Sequence, residues 1–314
     1  MKAVVLALAL LLVPLSVPSA SAGEVEWKEH IQGGLIASKS GDYRGAGIRF
    51  EAAVREARYF GNLDPRYAAS LYFLAVAYHR QDRYAEAEPL YKQALAITEK
   101  VRGPRHPDVA TQLSDLSALY LEQGQHALAE PLVKRLLAMQ EKALGPDHPA
   151  VAATLNRLGE LYRDVGRYAL AIPLYRRSLA ILETARGRDH PDVATTLNNL
   201  ALAYAAQSRY FEAEPLYQRS IEIREKAFGA DHPRVATVQN NLAEMYRAQG
   251  RFEDAEPLYL SAIEINEKAP GPRNPDLATM MANLAKLYTA QNRSQEAEEL
   301  LERAKRARQV PAGK

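Results

Sequence analysis

The sequence has no cysteine, a single tryptophan (Trp27) and almost no net charge. The absence of cysteine removes disulfides, thiolate metal sites and cysteine nucleophiles together. It suits an oxidising compartment, where a stray thiol is a liability. Forty Lys and Arg against 38 Asp and Glu leave a formal charge of +2 over 314 residues. That balance gives no electrostatic drive toward nucleic acid or anionic lipid. Beyond the first 22 residues, no stretch approaches the ~20 apolar residues of a spanning helix. Catalytic signatures are missing as well. There is no Gly-x-Ser-x-Gly elbow and no His-Glu-x-x-His pair. Gly45-Ala46-Gly47 is not followed by the Gly-Lys-Ser/Thr of a phosphate loop. No nucleophile–base pair, metal set or cofactor loop is readable, so we expect neither an enzyme nor a cofactor.

What is present begins with a leader. Lys2 is a short basic region, Ala3 to Val13 is apolar, and Pro14 to Val17 closes the run. Ala20-Ser21-Ala22 then matches the small-x-small pattern of a signal-peptidase site. We expect residues 1–22 to be a signal peptide, cleaved to leave Gly23 as the mature N-terminus in preference to being retained as an anchor, and the protein to be exported, periplasmic or secreted.

The dominant feature is a ladder of Gly-x-x-(His/Asp/Asn)-Pro pentads. The glycines are Gly61, Gly103, Gly145, Gly187, Gly229 and Gly271, each 42 residues after the last. The prolines run in step from Pro65 to Pro275, preceded by Asp64, His106, His148, His190, His232 and Asn274. A constant period of this size means stacked supersecondary units with one continuous core. That overrides the two domains that length alone suggests.

His190 to Asp231 shows what one unit is. Pro191 suits the first position of a helix, where its missing N–H costs nothing, and Asp192 favours the first turn. Ala194, Leu197, Leu200, Ala201 and Tyr204 form one helical face. Gln207-Ser208-Arg209 interrupts it, and Ala213, Leu216, Tyr217, Ser220, Ile221 and Arg224 form a second. Gly229 is expected to end that helix as a left-handed cap. The unit is an antiparallel helix–turn–helix. Tyr78, Tyr120, Tyr162, Tyr204, Tyr246 and Tyr288 recur in the first helix, and Ala87, Ala129, Ala171, Ala213, Ala255 and Ala297 in the second. Pro89, Pro131, Pro173, Pro215 and Pro257 fall about a turn into the second helix, where a mild bend is expected. Residues 23–60, with Gly33 and Gly34 in the first helix, read as a divergent N-terminal capping pair. Tandem units fill 61–291, and 292–314 form a charged C-terminal capping helix and tail.

Leu200-Ala201 and Tyr204, followed by Ala213, Tyr217 and Ser220, resemble the tetratricopeptide repeat. The 42-residue period, the Leu197-Asn198-Asn199-Leu200-Ala201 segment, Glu214-Pro215-Leu216-Tyr217 and the Asp231-His232-Pro233 linker are similar to the kinesin-light-chain variety. The resemblance implies an all-α, right-handed superhelical solenoid of about seven helix pairs. It implies first helices lining a concave groove, and an extended peptide held there by asparagines, whose amides both donate and accept. The function it implies is a protein–protein interaction scaffold with a protein or peptide partner. A cytosolic motor role does not fit the leader.

In that frame Asn156, Asn198 and Asn240 share one slot and are the candidate groove row. Asn199, Asn241 and Asn283 share the next slot, where bridging between units is the expected role. Glu160, Leu202, Glu244 and Lys286 vary one turn later, followed by Arg163 and Arg247. The histidine ladder does not suggest metal. Successive units stand on the order of 10 Å apart, whereas zinc ligands lie ~2 Å from the ion, so the histidines are expected to shape the inter-unit turn. A non-protein ligand (glycan, lipid or small molecule) is the alternative occupant of the groove. It requires an apolar pocket, for which Tyr72, Phe73 and Val76 are the candidates.

Overall fold

The computed structural model describes residues 22–269 and 276–309. The expected signal peptide, apart from Ala22, lies outside the described residues, as do Gly271, Asn274, Pro275 and the tail from Val310. Among the described residues there are fourteen helices and no strand. They fall into two compact units. The first contains α1 (Ala22–Lys39), α2 (Tyr43–Arg58), α3 (Pro65–His79), α4 (Tyr84–Arg102) and α5 (Pro107–Glu122). The second contains α6 (His126–Leu144), α7 (Pro149–Asp164), α8 (Tyr168–Arg186), α9 (Pro191–Ala205), α10 (Tyr210–Phe228), α11 (Pro233–Ala248), α12 (Phe252–Lys268), α13 (Asp276–Ala290) and α14 (Ser294–Gln309). This is the all-α, helix-pair architecture of a solenoid.

The punctuation works through specific bonds. His106, His148, His190 and His232 are N-caps in extended backbone, as a residue before proline must be. Each accepts through Nδ1 the N–H two residues on, at 3.1–3.2 Å. Asp64 does the same for Arg66 at 2.8 Å. The histidines therefore do more than shape a turn: they satisfy an orphan donor at the start of a helix. The cap holds the imidazole with its proton on Nε2. Gly229 departs from the expected left-handed cap. Its φ of 91° is positive, but its ψ is 153°, and Gly103 and Gly187 match it. This region is essentially open only to glycine. The chain must leave the helix directly into the extended His-Pro segment, so ψ opens away from the helical value.

A second ladder lies inside the units. Asp82, Ser208 and Asn292 have φ of 58°, 58° and 62°, and Gly124, Gly166 and Gly250 have 68°, 74° and 74°. These six positions also repeat every 42 residues, and they turn the first helix of each pair into the second.

Packing follows the small-residue rows. Ala87, Ala129, Ala171, Ala213 and Ala255 are completely buried. The second helices run unbroken through Pro89, Pro131, Pro173, Pro215 and Pro257. The glutamate before proline has a partner in the following pair. Within the first unit Tyr120 donates to Glu88 at 2.9 Å. Within the second, Tyr162 donates to Glu130, Tyr246 to Glu214 and Tyr288 to Glu256, at 2.8–2.9 Å. Tyr204 lacks this rung because Ile172 stands in the glutamate slot; it keeps the guanidinium contact, Arg209 at 4.4 Å from its ring centre, which Tyr246 and Tyr288 make with Arg251 and Arg293 in addition to the rung. The seams between pairs use interchangeable chemistry. Arg102 pairs with Asp108 at 2.8 Å and Arg186 with Asp192 at 2.7 Å. At the equivalent positions Phe228 and Arg234 make a cation–π contact of 4.8 Å.

Candidate functional site

In the second unit the first helices of successive pairs, α7, α9, α11 and α13, carry the candidate row. Asn156 Nδ2 donates to Thr196 Oγ1 at 2.7 Å. Asn241 Nδ2 donates to Asn198 Oδ1 at 3.0 Å, and Asn283 Nδ2 to Asn240 Oδ1 at 3.3 Å. Each bond joins one first helix to the next. Bridging was expected of the second asparagine slot alone, but both slots supply it. Asn198 and Asn199 are buried, while Asn156 and Asn240 are half-buried. The Oδ1 of Asn156 is buried with no protein donor in reach.

The charged candidates assemble on this frame as two clusters. On α7, Glu160 Oε1 accepts from Asn199 Nδ2 at 2.8 Å, and Asn199 Oδ1 accepts from Arg163 at 3.4 Å. Arg163 also grips Asp164, its chain neighbour, through Nε at 3.1 Å and a terminal nitrogen at 2.9 Å. Burial pushes the Glu160 carboxyl above its ordinary pKa, and Arg163 and the Asn199 bond only partly oppose it. On α11, Glu244 Oε2 accepts from Arg247 Nε at 3.0 Å and from the Tyr259 hydroxyl at 2.7 Å. Burial pushes this carboxyl up too, but the bonds from Arg247 and Tyr259 outweigh it and hold the pKa below the ordinary value. Lys286 on α13 is exposed and donates to Asn283 Oδ1 at 3.1 Å. Between the clusters, the equivalent positions of α9 are Leu202 and Ala205.

Tyrosines lie beneath this face, and of these only Tyr217 stands out in the sequence of the single unit, as a packing residue. Tyr175, Tyr217 and Tyr259 are essentially fully buried. Tyr259 feeds the Glu244–Arg247 cluster, whereas the Tyr175 hydroxyl is buried without a partner. The available signal was their spacing: all three lie in one slot of the second helix, 42 residues apart.

In the first unit the aromatic candidates pack on one another. Phe73 stacks on Phe50 with ring centres 5.5 Å apart, and Tyr72 donates to Asp115 at 2.5 Å. His79 lies 3.2 Å through Nδ1 from the Tyr91 hydroxyl and 2.9 Å through Nε2 from Glu122. Val76 is half-buried beside them. Among the described residues, no group of three or more His, Asp and Glu side chains is placed to hold a metal ion, and no helix is long and apolar enough to cross a membrane.

Comparison with known proteins agrees with this geometry. The tetratricopeptide repeat model matches overlapping segments 34–100, 66–142, 113–184, 151–226, 192–268 and 234–309. The chain belongs to the tetratricopeptide repeat family, whose members are generally protein–protein interaction scaffolds. No curated protein matches it. Among solved structures it is similar to BtubC (BKLC) from P. vanneervenii, with 27% identity and a TM-score of 0.59 over 74% of this chain and 92% of that one. A putative kinesin light chain from Podosopora anserina with nearly identical TPR-like repeats shares 26% identity at a TM-score of 0.57, over 64% of this chain and 96% of that one. A tetratricopeptide repeat protein from Parabacteroides merdae shares the fold, with 20% identity and a TM-score of 0.66 over 91% and 95% of the two chains.

Proposed function

We propose that this chain is a non-enzymatic scaffold working outside the cytoplasm. On this reading it holds an extended peptide, or a loop of a partner protein, against the face bearing Asn156, Asn198, Asn240, Glu160, Glu244, Arg163, Arg247 and Lys286. One observation carries the reading: a constant frame presents a changing set of groups. The asparagine ladder repeats from α7 to α13, while the slot one turn later reads Glu160, Leu202, Glu244 and Lys286. Fixed amides suit a peptide backbone, which every ligand shares. Varied neighbours suit side chains, which differ between ligands. The leader pattern at residues 1–22 supports export, and N-terminal sequencing of the processed chain is expected to begin at Gly23.

Selection of a displayed peptide library on the full chain tests the binding surface. Lys286→Glu is the informative variant, because Lys286 is exposed and its substitution leaves the core intact. We expect acidic residues enriched at one end of the peptides selected on the parent, and basic residues there on the variant. Identical selections on both proteins, or no enrichment on either, would refute the surface assigned.

A further inference from the structure

The N-terminal helix pair has an apolar outward face. α2 packs against α1 on one side and against α3 on another. Among the described residues, no helix covers the remaining side. Ile36 is 69% exposed and Ile48 is 62% exposed. They line one depression with Gly33, Gly45, Asp42 and Arg49. A terminal unit of a solenoid ordinarily presents a polar outer face. α14 comes nearer to that rule, exposing Glu298, Glu299, Glu302, Lys305 and Arg306 around Leu301, which is 42% exposed, so the apolar departure is larger at the α1/α2 end.

The glycines separate two roles. A Cβ on Gly34 would fall 2.4 Å from the Phe50 ring, so that glycine serves the chain's own packing. A Cβ on Gly33 would meet only the Arg49 side chain, at 3.5 Å. Gly33 therefore sits inside a helix, where glycine is poorly suited, with no internal contact that requires it. The Arg49 side chain lies over it, beside Ile36.

We propose that this face docks a second copy of the same chain about a two-fold axis. Charge selects that occupant. Asp42 and Arg49 bracket the apolar strip on α2, about two helical turns or ~10 Å apart. An antiparallel crossing of two α2 helices centred near Gly45 sets Arg49 against the partner's Asp42, and does so twice, while Ile36 and Ile48 meet apolar surface. Head-to-tail stacking would instead press Ile36 and Ile48 onto the charged face of α14. The isologous arrangement buries like against like and pairs opposite charges.

Charge exchange tests this on the full chain at about 100 μM, a concentration suited to a contact of this small size. The parent should sediment as a dimer. Arg49→Asp alone, or Asp42→Lys alone, creates two like-charge contacts across the axis and should weaken dimerisation roughly tenfold or more. An equimolar mixture of the two variants restores both pairs in the heterodimer and should return the dimer mass. Ile48→Asp should abolish dimerisation with no rescue by either variant. Far-UV circular dichroism of each variant shows that it is folded, which matters because Asp42 also caps α2 through Gly45 N–H at 2.8 Å. A monomeric parent would overturn the proposal, whatever else covers the face, the chain's own residues 1–21 included. So would variants that dimerise as well as the parent, or folded variants that fail to recover on mixing.

Discussion

The ladder of left-handed residues inside each pair makes a measurable prediction at Ser208. Its φ is 58°, in a slot where Gly124, Gly166 and Gly250 stand in other pairs. An L-residue in this conformation costs roughly 1–2 kcal/mol, because Cβ crowds the following carbonyl oxygen. Glycine escapes that cost but loses more backbone freedom on folding, roughly 0.5–1 kcal/mol relative to alanine. The side chain contributes little, since its one polar contact is a 3.5 Å approach from the Tyr210 hydroxyl. Ser208→Gly should therefore stabilise the chain, by up to about 1.5 kcal/mol on these figures. The reverse change, Gly166→Ser, should destabilise it by a similar amount. No heavy atom outside the immediate backbone lies within 4 Å of a Cβ placed on Gly166, so the effect there is purely conformational. Asn292→Gly should gain less than Ser208→Gly, since asparagine tolerates the left-handed region. Urea titration followed by circular dichroism reads all three as shifts in midpoint at constant slope. Equal gains at Ser208 and Asn292, or a neutral Gly166→Ser, would show that backbone strain does not govern this turn.

Two further outcomes are expected. Tyr246→Phe removes the hydroxyl that donates to Glu214 at 2.8 Å, beside the Arg251–Glu214 pair at 2.9 Å. It should cost about 1–2 kcal/mol, whereas Tyr204→Phe, facing Ile172 instead of a glutamate, should be nearly neutral; equal losses in urea titrations would remove the rung from the account of stacking. His232 has its pKa lowered by burial first and then by Arg234 and Arg224. Its contribution to stability is complete above the ordinary histidine pKa of about 6.5 and is lost as pH falls through the lower folded value. His232→Asn keeps a capping side chain without that titration, so urea midpoints should fall less steeply with acid than in the parent; parallel pH profiles would count against the cap.

The frame was legible because its punctuation is made of residues with few alternatives. Proline at the start of a helix, and glycine where φ is positive and ψ extended, are close to obligatory, so they recur letter for letter. The left-handed ladder was not legible for the opposite reason. Glycine, aspartate, serine and asparagine can all occupy it, and the slot changes identity from Asp82 to Gly124 to Ser208. Candidate side chains could be assigned to slots, but their bonds could not be foreseen. Asn156, Asn198 and Asn240 bond to residues 40 to 43 positions away, and which amide reaches which neighbour depends on rotamers that periodicity does not encode. The histidine caps fall between these cases: proline fixed their backbone, but the Nδ1 bond required the ring orientation.

The α7 and α11 clusters show how one frame can present different chemistry. Glu160, Arg163 and Tyr175 recur 84 residues later as Glu244, Arg247 and Tyr259, yet they are wired differently. On α11, arginine and tyrosine both turn to the glutamate, which is held ionised. On α7, Asp164 draws Arg163 away, a competitor missing from α11, where Ala248 takes its place. Asn199 then bonds Glu160 across to the next helix. A Cβ on Gly159 would stand 2.6 Å from the Tyr175 ring, whereas Ala243 fills the equivalent position in the other pair. The missing methyl lets Tyr175 occupy that space, and its hydroxyl has no partner. Glu160 is left as a desolvated carboxyl that takes a proton more readily, and Glu244 as one fixed in its charged form. Two substitutions outside the candidate row, at Gly159 and Asp164, thus accompany a different electrostatic character in the same slot. A scaffold can in this way vary what its face offers along its length without disturbing the 42-residue frame that holds the face together.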